Sequence, residues 1–185
     1  NRARENTLQM IRDLIKANTH NMQDAAVREA AQHLNRVYRL HAAAIIQKGH
    51  VIVIDDDEFG DVGTIGSNNI MGWAAKGAVG VVTDAGARDT DEVAIQKVPL
   101  YLRKKSRGIR PGRNELESVN RPVSIGGVLV CPGDVVVADG DGVIVVPRHV
   151  AKAVALNAQS VLEKDKAGRR NLYKTLGLPM DQTVE

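Results

Sequence analysis

Gly77-Ala-Val-Gly-Val-Val-Thr-Asp-Ala-Gly-Ala-Arg-Asp89 is the stretch on which the reading of this chain turns. Its apolar run, Val79 to Val82, has the length and β-branched content of a buried strand. The small residues that follow read as a Gly-rich turn delivering Arg88 and Asp89 side by side. A strand ending this way presents both groups at one pocket mouth. The guanidinium can hold a carboxylate or an enolate, and the carboxylate a divalent metal. The plainer alternative is an exposed Arg88, with Asp89 capping a helix over Thr90-Asp-Glu-Val-Ala-Ile95.

Upstream, His50-Val-Ile-Val-Ile-Asp55 reads as another buried strand, followed by the acidic cluster Asp55 to Glu58. Such a cluster can collect a metal, although a solvated loop explains it more simply. Gly60, Gly63 and Gly66 punctuate a loop, and Ser67-Asn-Asn69 opens a short helix running through Trp73 to Lys76. Free backbone N–H groups at a helix start face outward, and the helix dipole favours anions there. Gly66, Ser67, Asn68 and Asn69 therefore form a candidate anion cradle, with an ordinary capped helix as the alternative.

Downstream, a short helix to about Gln96 leads into Val98-Pro-Leu-Tyr-Leu102, where Pro99 favours an edge position or a strand start. The loop Arg103 to Arg113 carries six of the 25 Lys and Arg residues. It lacks the interleaved aromatics that stack nucleic-acid bases, and it reads as a solvated loop that can help attract a polyanionic small molecule. Pro122-Val-Ser-Ile125, Gly127 to Cys131, Asp134 to Ala138 and Val143 to Val146 read as four short strands of a meander. Gly126-Gly127, Pro132-Gly133 and Gly140-Asp-Gly142 supply the turns. Asp139 and Asp141 fit turn chemistry more economically than metal binding. A helix from about His149 to Lys164 follows, broken at Gly168, then a short basic helix from Arg169 to Leu176 and a polar tail.

The N-terminal part is helical in pattern. Leu8, Ile11, Leu14 and Ile15 share one face, as do Ala26, Val27, Ala30, Leu34 and Val37 in a second stretch closed by Gly49. Residues 1–48 are read as a helical segment packing on the core or a neighbouring subunit, and 49–185 as an α/β domain with C-terminal helices.

Composition narrows the function. Hydrophobic residues make up 43% and aromatics 3%, so the core is Val, Ile, Leu and Ala. No apolar run approaches the roughly 20 residues that cross a bilayer, and no membrane partner is expected. Cys131 is the one cysteine, which fits a reducing compartment, and a cytoplasmic location is expected. A net charge of +3 does not call for a nucleic-acid partner. There is no phosphate loop of the G-x-x-x-x-G-K-[ST] type, no H-E-x-x-H and no G-x-S-x-G. The five histidines are scattered without ligand spacing.

Three blocks taken together resemble the RraA-like family, which includes the metal-dependent 4-hydroxy-4-methyl-2-oxoglutarate and 4-carboxy-4-hydroxy-2-oxoadipate aldolases. They are Gly66-Ser-Asn-Asn69, Val81-Val-Thr-Asp-Ala-Gly-Ala-Arg-Asp89, and the long run from Asn120 to Pro147. The resemblance covers about residues 40 to 177. It implies a swivelling β/β/α domain and a homotrimer or hexamer with sites between subunits. It implies retro-aldol cleavage of a 4-hydroxy-2-oxo acid to pyruvate and a second 2-oxo acid, with oxaloacetate decarboxylation as a side activity. By the same resemblance Arg88 contacts the pyruvyl unit, Asp89 ligates Mg²⁺ or Mn²⁺, and the Gly66 to Asn69 amides bind the substrate carboxylate. The family also includes a regulator that binds and inhibits an RNA-degrading endonuclease, which gives a non-catalytic alternative. Where the family usually carries an acidic residue after the cradle glycine, this chain has Ser67.

Overall fold

The computed structural model describes residues 44–56, 61–110, 114 and 116–185. The stretches expected to be helical before residue 44, and Asp57 and Glu58 of the acidic cluster, lie outside them, and the division expected near residue 48 falls at their edge. The described residues fall into two compact units that divide between Pro132 and Gly133.

The first unit is built on β3, Gly80–Ala87. Three strands pair with it, all parallel: β1 (Val51–Ile54), β2 (Gly63–Ile65) and β4 (Leu100–Lys105). Val81 to Thr83 pair with both β1 and β4, while Gly86 and Ala87 pair with both β2 and β4. Strands β1 and β2 therefore follow one another along one edge of β3, and β4 takes the other edge. Helix α1 (Ser67–Ala74) crosses from β2 to β3, and α2 (Thr90–Gln96) from β3 to β4. Parallel neighbours require such crossovers. Ile70 and Trp73 of α1 and Val93 of α2 join Ile65, Val81 and Ala87 in one cluster, with Ile52, Ile54, Leu100 and Leu102 packed against it. Trp73 apart, this core is the aliphatic one the composition requires, and Val81 within it is 1% exposed.

The small residues after Asp84 do not form a turn. Strand β3 continues through them to Ala87, with a register shift against β4 between Thr83 and Gly86. Glycine is needed here for close approach, because a methyl group at Gly86 would lie 2.7 Å from both Ser106 Cβ and Val62 O. Gly86→Ala is accordingly expected to destabilise the protein by about 2 kcal/mol. Urea unfolding checks this, and an unchanged midpoint would contradict the packing described. Gly63 to Ile65, expected as loop, form the short strand β2. Pro99 stands just before β4 and its carbonyl accepts Val81 N–H at 2.9 Å, as suits a strand start.

The region expected as a four-strand meander consists of two separate antiparallel hairpins. One is β5 (Val123–Ile125) with β6 (Val128–Val130), in the first unit. The other is β7 (Val135–Asp139) with β8 (Gly142–Val146), in the second. The four strands lie where the alternation and turns place them. Turn signals fix strand ends and hairpins but not which hairpins join, and β6 and β7 fall in different units. At the β7–β8 turn Asp139 Oδ1 accepts Asp141 N–H at 2.9 Å, the turn role expected of it.

The second unit ends in one helix, α3 (Ala151–Leu176), which passes through Gly168 without a break. An interior glycine costs about 1 kcal/mol against alanine, and a helix of 26 residues rich in Ala, Leu, Lys and Arg absorbs it. The tail then folds back on the last turns of α3. Arg169 donates to Thr183 O at 3.0 Å, Arg170 Nε to Val184 O at 2.5 Å and Lys166 Nζ to Glu185 O. Val184, 2% exposed, is the apolar anchor of that return.

Candidate functional site

The carboxyl ends of the parallel strands carry the candidate residues, which is where open parallel sheets place ligands. Arg88 and Asp89 follow β3 directly, and Gly66 and Ser67 follow β2. One backbone bond ties the two strand ends together, from Arg88 N–H to Ile65 O at 2.9 Å.

Asp89 stands at the N-cap position of α2, but its side chain makes no capping bond. Its backbone is left-handed, φ 57° and ψ 35°, a conformation that Asp and Asn tolerate better than most residues. That geometry turns the carboxylate toward the start of α1. Asp89 Oδ2 accepts Ser67 N–H at 3.1 Å and lies 3.4 Å from Ser67 Oγ. The alternative of Asp89 as a side-chain cap of its own helix is thereby replaced by a bridge between two helix starts. Asp89 is exposed at the surface of the unit.

Arg88 is half-buried rather than fully exposed. Its Nη1 donates to Gly63 O and lies 3.4 Å from Gly108 O. Two carbonyls thus hold one edge of the guanidinium, while Nη2 lies on the side of Gly66. A methyl group at Gly66 would sit 2.5 Å from Asp89 Oδ2 and 3.3 Å from Arg88 Nη2. Gly66 is extended, φ −145° and ψ 177°, so close approach and not backbone freedom makes glycine necessary there.

The expected cradle is therefore partly occupied by the chain itself. Ser67 N–H goes to Asp89, while Asn69 N–H and Ile70 N–H go to Gly66 O at 3.0 and 3.2 Å. Asn68 N–H takes no part in these bonds. Gly66, Ser67, Arg88 and Asp89 come together at one point, with Asn68 and Asn69 on the adjoining first turn of α1.

Among the described residues, no group of three or more His, Cys, Asp or Glu side chains is placed to hold a metal ion. Asp89 is the one carboxylate among the residues brought together here, with one oxygen engaged by Ser67. A single carboxylate with one oxygen free of Ser67 is a sparse donor set, of the kind a magnesium-class ion, which keeps several waters, would accept. The two described residues of the acidic cluster after β1, Asp55 and Asp56, are engaged elsewhere. Asp55 Oδ2 accepts Ser124 N–H at 3.2 Å, and Asp56 accepts from Thr64 Oγ1 and from Asn114 Nδ2.

The basic loop is not a uniformly solvated run. Arg107 clasps Asp61 through its backbone N–H at 2.9 Å and its Nε at 2.7 Å. These bonds, the backbone one first, hold the Asp61 carboxyl below the usual aspartate range. A depressed carboxyl favours the folded clasp above its unfolded pKa, and that contribution is lost as pH falls through the folded pKa. Arg107→Ala is expected to move the Asp61 carboxyl part of the way back up, because the backbone donor remains. Carboxyl-carbon NMR titration checks this, and an unmoved midpoint would remove the guanidinium from the clasp.

Arg110 is 7% exposed and donates from Nη1 to Thr64 O at 2.9 Å. Sequence reasoning missed Arg110, Thr64 and Asn114 as residues around the site, and it singled out Asp56 only as one of a cluster that could collect a metal or lie in a solvated loop. Nothing in the spacing sets Arg110 apart from its basic neighbours.

The described elements make up a mixed α/β fold of the RraA-like type, the class to which the solved neighbours below belong. The family model described as Aldolase/RraA matches residues 15–145, and the chain belongs to this RraA-like family. Among its relatives is a Halalkalibacterium halodurans protein provisionally named 4-hydroxy-4-methyl-2-oxoglutarate aldolase. The two are 32% identical over 124 residues, covering 66% of this chain and 58% of that one. An uncharacterized Methanocaldococcus jannaschii protein is 30% identical over 99 residues, covering 54% of this chain and 47% of the relative. The chain thus spans about half the length of these two relatives. Among solved structures, Streptomyces coelicolor RraAS2 is described as an unusual member of the RNase ES inhibitor RraA family. It superposes with a TM-score of 0.65 at 29% identity, covering 71% of this chain and 67% of that one. No helix among the described residues is long and apolar enough to cross a membrane.

Proposed function

We propose that this chain is a divalent-metal-dependent carbon–carbon lyase. It would cleave a 4-hydroxy-2-oxo di- or tricarboxylic acid to pyruvate and a second 2-oxo acid, and release pyruvate from oxaloacetate as a side reaction. The observation that carries the reading is the meeting of Arg88, Asp89 and the start of α1 at Gly66. The aldolase name borne by the Halalkalibacterium relative supports the same chemistry.

In the cleavage the C4 hydroxyl gives up its proton to solvent water, C4 becomes the carbonyl of the second 2-oxo acid, and the C3–C4 bond breaks. Its electron pair moves onto the C2 carbonyl as a pyruvate enolate, which is then protonated at C3. A guanidinium beside the enolate oxygen stabilises the charge where it develops. Arg88 is suited to this, since two carbonyls hold one edge and fix the direction of the other. Gly66, without a side chain, lets Arg88 Nη2 and the Asp89 carboxylate approach the start of α1 closely, and Asn68 N–H is the cradle donor available to a substrate carboxylate there. Asp89 would hold Mg²⁺ or Mn²⁺, which as a Lewis acid supplies polarisation of the 2-oxo group. The test is pyruvate release from 4-hydroxy-4-methyl-2-oxoglutarate and from oxaloacetate, first with Mg²⁺ and then with EDTA. Release that EDTA stops supports the lyase, and none from folded protein contradicts it. A homotrimer or hexamer is proposed with it, checked by light scattering.

A second reading has its own support. Ser67 stands where the aldolases usually carry an acid, and the Streptomyces neighbour is described within an RNase-inhibitor family. In that reading the chain binds and inhibits an RNA-degrading endonuclease without catalysis. Inhibition of RNA cleavage by wild-type protein and Arg88→Ala alike, with no pyruvate released by either, would favour it.

A further inference from the structure

We propose that Asp56, Asn114 and Arg110 are positioning residues for Arg88, acting through Thr64. The inference rests on the lyase reading for its kinetic arm and on geometry alone for its spectroscopic one.

Strand β2 is the shortest strand of the first unit's parallel sheet, and on its other edge the backbone holds it at Gly63 N–H, bonded to Gly108 O at 2.8 Å. It has three residues and pairs with β3 at Gly63 and Ile65 only, with a register shift between them. Yet its two outer carbonyls hold Arg88: Gly63 O accepts from Nη1 and Ile65 O from the backbone N–H. Consecutive carbonyls of a strand point to opposite edges, so Thr64 C=O faces away from the edge that holds Arg88. The buried guanidinium of Arg110 meets it there at 2.9 Å. The Thr64 hydroxyl donates to Asp56 Oδ2, and Asn114 Nδ2 bridges Asp56 Oδ1 at 2.7 Å and Thr64 Oγ1 at 3.2 Å. The middle residue of β2 is thus fixed at its carbonyl by the loop after β4 and at its side chain by the end of β1. Hydrogen bonds to charged groups are the stronger kind. Removing them lets β2 shift, and the Arg88 guanidinium shifts with it. Small displacements of a charge-stabilising group are expensive in rate.

The test uses the full chain and two variants, Thr64→Val, which deletes the hydroxyl at nearly constant volume, and Arg110→Lys, which keeps the charge but not the planar fork. In Mg²⁺ with oxaloacetate, each is expected to lower kcat about tenfold, with KM changed less than about twofold. Thr64→Ser, which restores the hydroxyl, recovers most of the rate. In an Arg88→Ala background, Thr64→Val has no further effect, since its influence passes through Arg88. The same tenfold loss in both backgrounds, or unchanged kcat in both single variants, would overturn the proposal.

If wild-type protein releases no pyruvate, the lyase reading fails and the NMR arm decides. The Arg88 Nε–H resonance, assigned by its disappearance in Arg88→Lys, moves or broadens in Thr64→Val while that of Arg148 stays in place. An unmoved Arg88 resonance in both variants overturns the inference. Arg110→Lys serves alone if Thr64→Val does not fold.

Discussion

Arg88→Ala is expected to lower kcat/KM for pyruvate release by about a thousandfold, the scale of losing a principal donor to a developing oxyanion. From sequence, an exposed Arg88 would leave stability untouched on removal. The structure adds a cost, since Gly63 O and Gly108 O each lose a guanidinium donor, although the Gly63 N–H to Gly108 O bond at 2.8 Å remains. A stability loss of about 1–2 kcal/mol accompanies the loss of rate, and thermal unfolding separates the two. A variant that folds at slightly lower temperature and has lost its activity fits the role proposed. Activity falling only in step with the folded fraction would make Arg88 a structural clasp. Arg88→Lys discriminates further, because a lysine can supply charge but cannot span two carbonyls and a substrate oxygen in one plane.

The second large effect is on metal response. Asp89→Asn is expected to raise the Mg²⁺ concentration for half-maximal rate by roughly a hundredfold, as loss of a charged ligand requires. Asparagine is the right replacement here for reasons the sequence does not reveal. Residue 89 sits at φ 57°, which alanine tolerates poorly and asparagine accepts. The amide oxygen can also keep the bond from Ser67 N–H, so the charge is lost and the bridge between α1 and α2 retained. An unchanged magnesium titration in a folded Asp89→Asn protein would remove Asp89 from the metal site.

Much of this was legible in the residues. The β-branched runs gave β1 and β3 because parallel strands covered by helices need near-continuous apolar sequence. Thr90 to Gln96 formed the helix its pattern requires, and Ser67 to Ala74 did so two residues short of the expected end. What was hidden depends on contacts between segments distant in sequence. Gly86 looks like turn punctuation, yet it is a strand residue made necessary by Ser106, 20 positions later. Gly168 looks like a helix breaker, but propensity is a weak prior against a long helix. Arg110 has the same local surroundings as the other cations of its loop, and Thr64 O, 46 positions away, sets it apart. The same holds within the candidate site. That Arg88, Asp89 and the start of α1 serve one site was implied by the family resemblance, not by the local pattern of either stretch. That Asp89 already uses Ser67 N–H was not, because it depends on the left-handed turn at Asp89.

The most direct test of the lyase account is pyruvate release from oxaloacetate measured against Mg²⁺ concentration, with wild-type protein and Asp89→Asn side by side. Wild-type protein is expected to release pyruvate in a manner that saturates with Mg²⁺ and stops in EDTA, with the curve for Asp89→Asn displaced to far higher Mg²⁺. Pyruvate release indifferent to EDTA, or superimposable curves for the two proteins, would contradict the lyase account.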